Sequence, residues 1–119
     1  MQSYMRLEVW KKSHQFVLDV YEVTKAYPKE ELFALTRQIR KAAFSIPANI
    51  AEGTGKKSIK DFSNFLRISL GSAHECEYYV LLSKDLSYIN GIQFSELNND
   101  INRIKAMLIR FLKRLSEFE

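Results

Sequence analysis

The feature that most limits how this chain can fold lies in its last quarter. Leu97, Ile101, Ile104, Leu108, Phe111, Leu115 and Phe118 recur in alternating steps of four and three. That spacing draws one apolar seam along an α-helix, whereas a strand alternates with period two. A helix with one apolar seam must bury it against partners, and the rest of the chain supplies them as further helices. Only four Gly and two Pro occur in 119 residues, too few for the many turns of a sandwich. The length suits a single domain, residues 1–119, built around one core.

Three more helices are expected ahead of that seam. The first runs from about Leu7 to Ala26, with Val9/Trp10, Ser13/His14, Phe16/Val17, Val20/Tyr21 and Val23/Thr24 on its apolar side, and Pro28 stops it. The second starts at Lys29 or Glu30 and carries Leu32, Leu35, Ile39, Ala42, Ile46 and Ile50 on one seam until Gly53 ends it. Pro47 lies inside and should kink or break that helix, freeing the Phe44 carbonyl for Asn49 or another donor. Ser58 caps the third helix, with Asp61 in its first turn, and Asn90-Gly91 ends it in the left-handed conformation. Its middle is small (Ser69, Gly71, Ser72, Ala73, Cys76), so close packing is the expected reason for Gly71. Ser95 should cap the fourth helix. With short connections, the expected fold is all-α, an antiparallel up-down-up-down four-helix bundle.

Charge is spread evenly along the chain. Lys and Arg against Asp and Glu number 4 to 3, 4 to 3, 5 to 4 and 5 to 4 over residues 1–28, 29–53, 54–91 and 92–119. Each quarter is therefore +1, which sums to the net +4. Two local clusters stand above this background. Residues 37–67 hold Arg37, Arg40, Lys41, Lys56, Lys57, Lys60 and Arg67 against only Glu52 and Asp61, and residues 103–114 hold Arg103, Lys105, Arg110, Lys113 and Arg114 with no acid. Such clusters form solvated helix faces, and they also contact phosphates. The segment Gly53-Thr54-Gly55-Lys56-Lys57-Ser58 lacks P-loop spacing, but it puts backbone N–H groups and two lysines at a helix start, a seat for an anion.

Enzyme chemistry finds little to work with. A carboxylate-bridged di-iron bundle needs a Glu followed three residues later by His on two helices. After Glu8, Glu22, Glu75 and Glu77 that place is held by Lys11, Lys25, Tyr78 and Val80. Two His and one Cys cannot by themselves make a Zn site, so no metal or cofactor is expected. A lone Cys makes no internal disulfide and fits a reducing, cytoplasmic setting, and no apolar run is long enough for a membrane span. His14 is placed on the apolar face of the first helix, and Cys76 is read as a small core residue. Arg67 and His74, seven apart on one helix face, resemble the paired residues of HEPN-type ribonucleases, although Ile68 stands where those enzymes carry a polar residue.

One segment is more specific than a bundle helix requires: Gln38-Ile39-Arg40-Lys41-Ala42-Ala43-Phe44-Ser45-Ile46-Pro47-Ala48-Asn49-Ile50-Ala51-Glu52-Gly53. Together with Val9-Trp10, Tyr27-Pro28, Phe65-Leu66-Arg67-Ile68-Ser69-Leu70-Gly71-Ser72 and Glu75, it resembles the 23S rRNA-intervening-sequence proteins of bacteria, over about residues 7–90. That family is similar to the accessory variability proteins of diversity-generating retroelements. The resemblance implies a four-helix bundle assembled as a ring-like homopentamer, with little chemistry of its own, and relatives that bind nucleic acid. Structural roles are expected for Pro47, Asn49, Glu52, Gly53 and Gly71, with Glu52 paired to Arg40 or Arg67 inside the bundle. The leading functional expectation is a non-enzymatic, self-associating bundle binding RNA or DNA through Arg37, Arg40, Lys41, Lys56, Lys57, Lys60 and Arg67. The alternatives are a protein-interaction scaffold using Phe33, Phe44 or Tyr78, and the ribonuclease.

Overall fold

The computed structural model describes residues 3–118, and the described residues form four α-helices, two short 3-10 turns and no strand. The helices are α1 (Glu8–Thr24), α2 (Leu35–Thr54), α3 (Ile59–Asp85) and α4 (Gly91–Ser116). Every described helix falls where periodicity predicts one.

The second helix starts later than its apolar pattern suggests. Lys29–Glu31 form a 3-10 turn, and Ala34 (φ −121°, ψ −107°) separates it from α2. Glu31 therefore lies outside the helix, yet it still serves the helix start. Its Oε1 accepts from the Leu35 N–H at 3.2 Å, and its Oε2 accepts from the Tyr88 hydroxyl at 2.8 Å. One carboxylate thus satisfies an orphan donor of α2 and ties it to the α3–α4 connection. Leu32, expected on the buried seam, falls before α2 and is exposed.

Pro47 does not break α2, which runs unbroken through it with the proline ring buried. The carbonyl that loses its helical donor is that of Ala43, four residues earlier, rather than Phe44. The neighbouring carbonyls take side-chain donors. Asn49 Nδ2 donates to Ser45 O at 2.8 Å and to Ser45 Oγ at 3.0 Å, and Ser69 Oγ donates from α3 to Ile46 O at 2.9 Å. Glu52 pairs with Lys56 at 3.5 Å on the surface, not with Arg40 or Arg67.

Gly53 lies inside α2, which ends at Thr54 with Gly55 as its right-handed cap. A Cβ on Gly53 would meet Phe62 Cδ1 at 2.8 Å and Phe65 Cβ at 3.0 Å, so this glycine lets α2 and α3 close on each other. Gly71 is the reverse case: a Cβ there meets nothing within 4 Å among the described residues, so their packing does not explain it.

Ser58 caps α3 as expected, its Oγ accepting from Asp61 N at 3.0 Å. The left-handed residue after α3 is Ser87 (φ 63°), not Asn90 or Gly91. Ser87 N donates to Lys84 O and Tyr88 N to Ser83 O, both at 2.9 Å, the paired bonds of a Schellman ending. Asn90 instead caps α4 in a capping box with Gln93, which leaves Ser95 inside the helix.

Each helix buries one stripe. Phe16, Val20, Ile39, Ile46, Ile50, Leu66, Val80, Ile101, Ile104 and Leu108 fill the centre, and Cys76 lies among them. Contacts join α1 to α2, α2 to α3, α3 to α4 and α4 to α1, in a body of 45 × 23 × 20 Å. Partners run in opposite numerical order between α3 and α4: Phe62 meets Phe111, Glu77 meets Lys105 and Lys84 meets Phe94. Between α2 and α3, Ser72 Oγ donates to Ser45 Oγ at 2.9 Å, which marks the middle level of the body.

Candidate nucleic-acid interface

The basic residues singled out from the sequence do not form one patch. About fifteen residues of helix, some 22 Å at 1.5 Å each, separate Lys41 from Lys56. Arg40 turns toward α1, where its Nε donates to Thr24 Oγ1 at 2.8 Å and its guanidinium lies 4.7 Å above the Tyr21 ring. Lys41 instead borders a small cleft of about 170 Å³ with Gln38, Ser45, Ser72 and Glu75. Arg37 is exposed at the start of α2. Arg67 is exposed on α3, with its Nη1 donating to Asn64 Oδ1 at 2.9 Å. Lys56 pairs with Glu52 and lies 5.2 Å from the Phe65 ring centre, while Lys57 and Lys60 are exposed beside it. Among the described residues, Arg37, Lys41, Lys57, Lys60 and Arg67 have no carboxylate within 4.0 Å.

What the fold does bring together is the connection between α2 and α3 and the C-terminal turns of α4. A cleft of about 260 Å³ is lined by Leu7, Gly53, Thr54, Lys56, Lys57, Ser58, Ile59, Phe62 and Phe111. Next to it, a second cleft of about 560 Å³ is lined by Leu7, Glu8, Val9, Met107, Arg110, Phe111, Lys113, Arg114 and Glu117. The two share Leu7 and Phe111. Lys56 and Lys57 thus come to the same end of the body as Arg110, Lys113 and Arg114, although more than fifty residues of chain lie between them.

Dividing α2 and α3 at the Ser45–Ser72 bond, and α1 and α4 near Phe16 and Ile104, exposes a polarity that the even charge along the chain conceals. Residues 3–16, 45–72 and 104–118 form the end with the two clefts. They hold eleven cations (Arg6, Lys11, Lys12; Lys56, Lys57, Lys60, Arg67; Lys105, Arg110, Lys113, Arg114) against four acids (Glu8, Glu52, Asp61, Glu117), a net +7. Residues 17–44 and 73–103 hold seven cations against nine acids, a net −2. Lys12 and Lys105 of the first end pair across the division with Asp100 and Glu77 of the second, so with those two pairs set aside the excess is +5 against 0. Adding Glu119, outside the described residues, returns the whole-chain +4. Each quarter of the sequence runs through both ends of the body, so its +1 averages two unlike surfaces. Both local clusters are visible in the sequence, whereas their meeting depends on the fold.

The remaining chemistry-bearing residues lie apart from these clefts. His14 is exposed rather than facing the core, and it stacks on Trp10 with ring centres 4.9 Å apart and planes 9° from parallel. Cys76 is fully buried, and burial, followed by the nearby Glu75 charge, pushes its thiol far up from the ordinary 9.0. A thiol held protonated in that way is a packing group and a poor nucleophile. His74 is exposed, like Arg67 two turns earlier on α3. Glu77 carries the ion pair with Lys105 at 2.8 Å, which holds its carboxyl below the ordinary 4.5. No described helix is long and apolar enough to cross a membrane, and no group of three or more His, Cys, Asp or Glu among the described residues is placed to hold a metal ion.

The geometry has a solved counterpart. A crystal structure of a protein with unknown function from the S23 ribosomal protein family of Bacteroides thetaiotaomicron matches with a TM-score of 0.82 at 34% identity, covering 88% of this chain and 98% of that one. Among curated proteins, none matches. The family model described as 23S rRNA-intervening sequence protein matches residues 5–110. That match spans α1, α2, α3 and most of α4, including the Pro47 turn and Gly53. The chain belongs to the 23S rRNA-intervening sequence protein family.

Proposed function

We propose that this chain is a non-enzymatic, cytoplasmic, up-down-up-down antiparallel bundle that binds RNA or DNA phosphate through its basic end. The observation that carries this reading is the division of charge, +5 at the end with the two clefts against 0 at the other once the two ion pairs that cross the middle are set aside. A field with one sign at one pole attracts and orients a polyanion, where the same charges scattered would not. Lys56, Lys57, Lys60 and Arg67, with Arg110, Lys113 and Arg114, form the contact surface. Arg37, Arg40 and Lys41 lie in the other half and are peripheral to it. The resemblance to the accessory variability proteins of diversity-generating retroelements points the same way. Binding by this route weakens steeply as salt rises, because each phosphate contact releases a counterion. Fluorescence anisotropy with a labelled structured RNA across a salt series tests it. Tight binding at low salt that falls away with salt supports the reading, and binding that is absent or indifferent to salt overturns it.

Self-association, as a pentamer by family resemblance, is the second part of the reading. The outward side of α3 carries Ile68, Gly71, Glu75 and Tyr78 at steps of three and four, with Ile68 51% and Tyr78 57% exposed. That is a second seam with nothing among the described residues to cover it, and it supplies the reason for Gly71 that their packing does not. A ring would also multiply the basic ends. Light scattering reads the outcome directly: a mass several times 13.9 kDa supports it, and a monomer removes it. If the same surface, with Phe33 and Phe44, bound a different protein instead, the chain would remain a monomer and be captured by that partner.

A further inference from the structure

The smaller of the two clefts at the basic end is apolar inside and cationic at its edge. Leu7, Ile59, Phe62 and Phe111 supply its walls, and Lys56 and Lys57 stand at its mouth. Phe62 and Phe111 meet edge to face, with ring centres 5.4 Å apart and planes at 87°. Gly53 lets the Phe62 ring pack directly against α2 at this corner, since a Cβ there would stand 2.8 Å from Phe62 Cδ1. The volume of about 260 Å³ is below the range of roughly 300–1,000 Å³ typical for drug-sized ligands, so the occupant is a small planar or apolar group. A duplex, which presents only phosphates and groove edges to a shallow cleft, has no such group to insert. A single strand does.

We infer that this cleft receives one unpaired base of a single-stranded nucleic acid, against Phe62 and Phe111, while the flanking phosphates lie on Lys57 and Lys60 and on Arg110, Lys113 and Arg114 of the adjoining cleft. The inference rests on the basic-end reading above and narrows it from nucleic acid in general to strands with unpaired bases. Its two parts draw on different physics. Lys57, Lys60, Lys113 and Arg114 contribute the salt-dependent attraction, which is blind to the base. The aromatic cleft contributes stacking, which requires a base and depends little on salt. The shared wall residues, Leu7 and Phe111, put the two clefts side by side, so one strand can occupy both.

The test compares three ligands of about 12 nucleotides each, a length within the usual site size for single strands: oligothymidylate, the same backbone with abasic sites, and a duplex. Two variants accompany the natural chain. Ile59→Trp fills the cleft from an exposed position at the first turn of α3, without changing charge. Phe111→Leu removes the ring but keeps an apolar side chain, and thermal melting by circular dichroism shows that each variant folds. The expected result is oligothymidylate bound about five- to a hundred-fold more tightly than the abasic strand, with that preference lost in Ile59→Trp and reduced in Phe111→Leu while the salt slope stays the same. Equal affinity for all three ligands, untouched by Ile59→Trp, overturns base insertion and leaves the basic-end reading standing. Salt-dependent binding of none of them overturns both.

Discussion

Two glycines in neighbouring helices should answer the same substitution with opposite signs. Exchanging glycine for alanine within a helix is worth up to about 1 kcal/mol, since alanine loses less backbone freedom on folding. At Gly71 nothing among the described residues opposes that gain, because the new methyl meets no atom within 4 Å. The gain therefore belongs to the separated chain, and an interface packed on Gly71 would offset it. Gly71→Ala should therefore stabilise by up to about 1 kcal/mol. At Gly53 the methyl would stand 2.8 Å from Phe62 Cδ1 and 3.0 Å from Phe65 Cβ, where carbon atoms rest at about 3.5–4.0 Å. Relief requires α2 and α3 to part, or Phe62 to turn away from Phe111. Overpacking of this kind costs about 1–3 kcal/mol, so after the helix gain Gly53→Ala should lose about 1 kcal/mol overall. The two variants then differ by about 2 kcal/mol, and for a chain of this size each kcal/mol moves Tm by about 3–5 °C. Thermal and urea unfolding followed by circular dichroism measure both. A Gly53→Ala protein as stable as the natural one would refute the close approach of α2 and α3, and Gly53→Ala with Phe62→Leu should recover part of the loss if the approach is real.

Other outcomes follow from single residues. Ser87 holds the left-handed conformation that costs an ordinary residue about 1–2 kcal/mol, so Ser87→Gly should raise Tm in a melt, with part of the gain cancelled by a freer unfolded chain. Burial raises Cys76 above its ordinary 9.0 and Tyr27 above 10.0. Groups so raised stabilise the fold below their unfolded values and lose that contribution as pH climbs past them, so the urea midpoint should decline from about pH 9 upward, and Cys76→Ala should delay the onset toward the tyrosine range. On the acid side, Glu77 sits below its ordinary 4.5 through Lys105, so its contribution is present above that value and lost as pH falls below it. In Glu77→Gln the acid limb of the stability curve should be flatter, and an unchanged limb would show that the ion pair is inert.

The helices were legible because burial repeats with helical period. Leu97, Ile101, Ile104 and Leu108 are all buried as their spacing demands, and the seam loses cover only toward Phe118 at the end of the body. Helix ends were read less well, because backbone conformation there is set by tertiary bonds and not by residue type. Nothing in Glu30-Glu31-Leu32-Phe33-Ala34 signals a break, yet Tyr88 holds Glu31 from a distant segment and the chain turns at Ala34. Ser87 takes a position where glycine is expected, and Gly53 is a packing residue where a helix stop is expected. The basic clusters were visible as composition. Their meeting at one end was not, because each stretch of the sequence runs through both ends of the body.

If phosphate binding belongs to one end of the body, charge removed there and charge removed at the other end must act differently. Two triple variants with the same loss of charge separate the ends: Lys57→Gln/Lys60→Gln/Arg114→Gln at the basic end, and Lys29→Gln/Arg37→Gln/Lys41→Gln at the other. For each, the dependence of log affinity on log salt is measured with the same single strand. The basic-end variant should lose about 2–3 from the magnitude of the slope, at roughly 0.7–0.9 for each phosphate contact, while the other variant keeps the natural slope. An equal loss from both, or a loss only from the second, would contradict the account.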